Sequence, residues 1–133
     1  MATVLEAVGS YLQTNSQGTL GTNMFYGRMP DSPDVCIAIY EYEGQPPMEN
    51  FGASAFSLEM PRVQVVCRAA REDYPTARDK AVTIRALLAA MTEVTVGSTR
   101  ILRVQSLGSV VPLGYDTNDR PKFAINFQVT VAP

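Results

Sequence analysis

Histidine and tryptophan are absent from this chain of 133 residues, and cysteine occurs only twice. Without histidine, cysteine–histidine catalysis lacks its base, and two cysteines alone do not complete a zinc site. Cys36 and Cys67 are not a close pair in sequence and each falls inside a strand pattern. They read as buried free thiols in a reducing compartment, so a cytoplasmic site of synthesis is expected. No apolar run approaches the roughly 18 residues needed to span a bilayer. The N-terminus lacks a basic segment followed by a continuous apolar one, so no signal peptide is expected. Charge is scarce too: charged residues make up 18%, the net charge is -2 and the isoelectric point lies near 5.0. A protein that grips nucleic acid by its phosphates needs clustered Lys and Arg, which this balance does not supply.

The glycine-bearing stretches 18–21 and 108–114 contain no Gly-Lys-Ser/Thr, so neither is a phosphate-cradling loop. Ser10, Ser32, Ser57 and Ser106 lack the nucleophile-elbow pattern. Asp31, Asp34, Glu41, Glu43, Glu49 and Glu59 lie together, with no Lys or Arg between Arg28 and Arg62. Their spacing matches no calcium loop and no His or Lys stands near to share acid–base work. An acidic surface facing solvent or a partner is the better reading. No catalytic residue, metal or cofactor is expected, and the chain does not read as an enzyme.

What is present is strand patterning with two different faces. In Lys122 to Val131, Phe123, Ile125, Phe127, Val129 and Val131 point one way, while Ala124, Asn126, Gln128 and Thr130 point the other. A period of two with one apolar and one polar, uncharged face marks a strand over a core. Arg62 to Arg68 is a second such strand, with a different inner face. Val35, Ile37 and Ile39 alternate with Cys36, Ala38 and Tyr40, a strand buried on much of both faces. Met24 to Tyr26 is a short strand before a turn dense in Pro and Asp, and Arg100 to Gln105 is another strand. Val110 and Val111 are placed to continue it after an interruption. Gly114 to Pro121 reads as a turn.

Two helices complete the pattern. Thr3 to about Thr14 carries Val4, Leu5, Val8, Tyr11 and Leu12 on one side, with Thr3 and Glu6 spaced as a capping box. Asp73 caps a second helix with Pro75 in its first turn. Its stripe is Ala77, Ala81, Ile84, Leu88 and Met91, at steps of three and four. The segment 94–98 leads out of that helix. The expected fold is α+β: a largely antiparallel sheet of about five strands with both helices packed on one face, one domain over residues 1–133. The stretch at about 43–58 holds two prolines and two glycines and has no period of either kind. It reads as a long partner-facing loop, since long loops in compact domains are usually functional or disordered. Met48, Phe51 and Phe56 are its candidate contact residues, the alternative being a small satellite core.

Charge is also unevenly placed. Residues 29–61 hold six acids and no base, whereas 62–103 hold eight bases and four acids. Such a split suits head-to-tail contacts, which close into rings when the rotation permits; equally, the helix arginines face water. Arg68 and Arg71, where a strand leaves for the second helix, are candidates to pair with acids of a neighbour, Glu41 and Glu43 among them. Asn126 and Gln128 are candidates for a sheet face toward a neighbour. Asp116 and Arg120 bracket a turn and are read as bonding to each other across it.

Several of these segments, taken in order, resemble one family: Met29-Pro-Asp-Ser-Pro-Asp34, Tyr42-Glu-Gly44, Pro61-Arg-Val-Gln-Val-Val-Cys-Arg68, the helix with Ala77, Ala81, Ile84 and Leu88, Leu113-Gly-Tyr-Asp-Thr-Asn-Asp-Arg120 and Phe123-Ala-Ile-Asn-Phe127. The chain resembles the tail terminator, or minor capsid, proteins of long-tailed bacteriophages. The resemblance implies a virion protein whose copies form a homo-hexameric ring at the head-proximal end of the tail tube. Such a ring stops tube polymerisation and joins the tail to the neck. Its implied partners are further copies of itself, the tail tube protein and neck or head-completion proteins, with DNA only in transit through the lumen and no membrane. Another head–tail connector, such as a head-completion or stopper ring protein, is the alternative, and a small ligand-binding domain with a pocket under the 43–57 stretch a more distant one.

Overall fold

The computed structural model describes residues 3–49, 57–96 and 99–132. Helix α1 spans Val4–Thr14 and is closed by the expected capping box. The Thr3 hydroxyl accepts from the Glu6 N–H at 3.2 Å and the Glu6 carboxylate accepts from the Thr3 N–H at 3.4 Å. These bonds occupy donors that a helix start otherwise leaves unpaired. Helix α2 spans Tyr74–Ala89, with the Asp73 side chain as N-cap and Pro in its first turn.

Seven strands follow the order β1 (Met24–Tyr26), β2 (Cys36–Glu49), β3 (Ser57–Arg68), β4 (Thr92–Val96), β5 (Thr99–Ser106), β6 (Val111–Tyr115) and β7 (Pro121–Ala132). They form one sheet in the spatial order β1-β2-β3-β7-β5-β4, with β6 also paired to β7. The sheet is larger than the five strands expected and is mixed, because β1 runs parallel to β2 while the other pairs are antiparallel. The connection from β1 to β2 makes a parallel pair possible by crossing the sheet instead of turning back at its end.

Three expectations change, two of them because a strand with an unpaired side tolerates Pro and Gly that a central strand does not. The stretch expected to be a loop at about 43–58 is instead strand at both ends, β2 continuing to Glu49 and β3 starting at Ser57. Pro46 and Pro47 are accommodated by register shifts between Tyr42 and Gln45 and between Gln45 and Met48, beyond the reach of β1. Segment 94–98 is expected to lead out of α2, yet Thr92–Val96 is β4, an edge strand on β5. Val111 does not continue β5; it opens β6, and part of the expected 114–121 turn belongs to that strand.

Both helices share one core with the sheet. Val4, Ala7, Val8 and Leu12 of α1, and Ala77, Ala81, Ile84 and Leu88 of α2, meet Ile37, Ile39, Val63, Val65, Cys67, Phe123, Ile125, Phe127 and Val129. Full burial of a large apolar side chain contributes roughly 1.5–3 kcal/mol. Strand β7 is the hub, since it pairs with β3 on one side and with β5 and β6 on the other.

Candidate functional site

The sheet face away from the helices carries Tyr40 and Tyr42 of β2, Arg62 and Gln64 of β3, and Asn126 and Gln128 of β7, the polar set that the alternation in β7 announced. Cross-strand partners stand side by side: Tyr40, Gln64 and Asn126 form one row, Tyr42, Arg62 and Gln128 the next. Asn126 accepts from the Gln64 amide at 3.1 Å, and the Gln128 amide lies 4.0 Å from the Met60 sulfur. Both candidates are half-buried. The Nε of Arg62 is buried and has no hydrogen-bond partner among the described residues.

At one end of this face the 27–35 connection is bound down by two arginines. Arg68 is only 5% exposed. Its guanidinium donates to the carbonyls of Asp34 (2.9 Å), Pro30 (2.7 Å), Pro33 (2.7 Å) and Asp31 (3.3 Å). Arg120, equally buried, donates to the carboxylates of Asp116 (2.8 Å), Asp31 (2.9 Å) and Asp34 (3.0 Å), and to the Asp31 carbonyl at 2.6 Å. The expected contact across the 116–120 turn is therefore present, within a larger cluster. Burial disfavours the Asp116 carboxylate, but the Arg120 and Asn118 N–H groups and the Arg120 side chain outweigh it and hold its pKa below the ordinary value. The charged neighbours of Arg120 likewise overcome its burial and raise its pKa further.

This geometry redistributes the candidate residues. Arg68 is directed into its own protomer, where it organises a loop. Arg71 is exposed and lies 3.3 Å from Asp119 across the same cluster. Glu41 is exposed on β2, and Glu43 and Met48 are also β2 residues, Met48 opposite Leu58. Phe51 and Phe56 lie outside the described residues. Two of the acids in 29–61, Asp31 and Asp34, face a cation of their own chain. Among the described residues no group of three His, Cys, Asp or Glu is arranged to hold a metal, and no helix is long and apolar enough to cross a membrane.

Sequence reasoning found the short strand β1 but missed β6 and the cavity beside β1. Strand β6 is exposed at every residue, with Val111 40%, Leu113 45% and Tyr115 49% accessible. Leu107 and Tyr74 add to the exposed apolar surface on that side of the molecule, and Tyr74 packs edge-on against Phe123 with ring centroids 4.9 Å apart. The apolar residues Val111, Leu113 and Tyr115 were the available signal, masked by the intervening Pro and Gly and by the register shift between Pro112 and Gly114. At the opposite edge, β1 borders a mainly apolar cavity of about 340 Å³ lined by Leu20, Met24, Phe25, Tyr26, Arg28 and Pro30.

Residues 11–133 match the bacteriophage tail terminator protein family. The chain belongs to this family. It is thus a structural component of a phage-type tail, a virion protein with tail-complex partners. Among solved structures, this tail terminator resembles a chain of the virion of a native gene transfer agent particle. The TM-score is 0.59 at 13% identity, over 99% of this chain and 87% of that one. At that identity the likeness shows a shared fold. No curated protein sequence matched.

Proposed function

We propose that this chain forms a ring, a hexamer by the resemblance, at the head-proximal end of a phage tail tube. There it stops polymerisation and joins the tail to the neck. The observation that carries the reading is the family match over residues 11–133, on a fold in which α1 and α2 pack against one face of the sheet. The opposite face, polar and largely uncharged, is suited to contact other proteins without demanding a specific ligand. Genome DNA passes the lumen without being held, because the chain carries a net charge of -2 and no cluster of bases devoted to phosphate. The chain acts by assembly and not by catalysis.

Negative-stain microscopy of tail tubes mixed with the protein tests this. Caps at one end only, with tubes that no longer lengthen when tube protein is added, are the expected result. Bare tube ends together with binding to isolated neck complexes would replace it with a connector on the portal side.

A further inference from the structure

Resting on the ring reading, the register of the sheet tells how successive copies meet. At the end of the sheet nearest the 27–35 connection, the strands run β1-β2-β3-β7-β6, so β1 and β6 are its two edges. One row of paired residues crosses it: Met24, Ile37, Cys67, Phe123 and Pro112. It begins in the apolar cavity beside β1 and ends in the exposed apolar strip of β6. The two edges are about 19 Å apart, four strand spacings. A second row, four β7 residues further along, runs from exposed Glu41 through Val63 and Phe127 to Ser106. Arg85 donates to the Ser106 hydroxyl and to the Gly108 carbonyl, both at 3.1 Å. Both acceptors are neutral, and Arg85 has no carboxylate partner among the described residues. Glu41 likewise has no basic partner there.

The two edges therefore complement each other twice, apolar strip to apolar cavity and Arg85 to Glu41, in the same order along the strands. Strand addition is not the means. Pro112 lacks an N–H and a register shift follows it before Gly114, two devices that blunt an edge. The contact is made by side chains. A surface strip of this kind on a free edge marks an association site, and its occupant is a second copy of this chain. We infer that neighbouring copies associate head-to-tail, the exposed β6 edge around Val111 and Leu113 of one seating at the β1 cavity of the next, with Arg85 of the first facing Glu41 of the second. Such a heterologous contact repeats from copy to copy and closes into a ring when the rotation permits.

Charge exchange tests it, read by sedimentation and by capping of tail tubes. Glu41→Arg and Arg85→Glu, each alone, should weaken association at least tenfold, since like charges then meet at every interface. The chain carrying both should recover to within about threefold of the original. As an independent readout, Leu113→Cys protein mixed with Phe25→Cys protein should give a disulfide-linked heterodimer, while Leu113→Cys alone should give none. Circular dichroism establishes that each variant is folded. If unmodified protein forms rings or caps while the single exchanges are silent and the cysteines do not link, the edge contact is overturned and the ring reading stands. A Leu113→Cys homodimer would overturn the head-to-tail arrangement in favour of a two-fold one. If the unmodified protein neither associates nor caps tubes, both readings fall.

Discussion

Arg68 shows how one side chain can organise a surface. Four carbonyls of the 27–35 connection converge on it, and no lysine has donors in the planar fork needed to meet them together. Arg68→Met should cost about 2–4 kcal/mol, because it strands buried acceptors as well as removing charge-assisted bonds. Urea unfolding measures the loss, and Arg68→Lys should fall between the two. The Asp116 cluster sets a pH limit. Its folded pKa lies below the ordinary 3.8, so its contribution is fully present above that value and is lost as pH falls through the lower, folded one. Stability measured by urea from pH 6 downward should stay level with respect to this group until about pH 4 and then decline. Asp116→Asn should be less stable at pH 6 and flatter across the acid range.

Among the elements, the helices were legible in the sequence because their determinants are local. A capping box, an Asp cap before a proline, and apolar steps of three and four are written within a few turns. The central strands were legible for the same reason: their alternation is intrinsic. Strands β4 and β6 and the 43–49 arm of β2 were not. Whether Pro46, Pro47, Pro112 or Gly114 can sit in a strand depends on whether the neighbouring position in the sheet is empty, which no local pattern states. Gly114, with φ of +80°, adopts a backbone conformation that costs other residues strain. The burial of Arg68 was hidden likewise, since its partners lie 34 to 38 residues away. At the contact of α1 with β1, Gly9 leaves no room for a side chain: a Cβ there would run into the Tyr26 hydroxyl and lie 2.8 Å from its ring. Gly9→Val should therefore cost about 1–3 kcal/mol by overpacking, seen as a lowered denaturant midpoint with an unchanged slope. In the core itself, Phe127→Ala at a fully buried position should cost about 3–5 kcal/mol by the same measurement.

For the whole molecule, the consequence lies in β7. Among the described residues, the strands on either side of it, β3 with β2 and β1 and β5 with β4, are joined in the sheet through β7. Arg120, which ties Asp31 and Asp34 to the turn before it, immediately precedes β7. The two halves of the sheet and the clasp on its outer face thus depend on residues translated after the strands they join. A chain ending before Arg120 should show little cooperative unfolding by circular dichroism, because its halves have no strand in common. For a protein proposed to end the growth of a polymer, the order of synthesis then acts as a safeguard: a nascent or prematurely halted chain has neither a closed sheet nor a finished outer face. Unfinished copies would be excluded from the assembly by their own topology, without an inspecting partner.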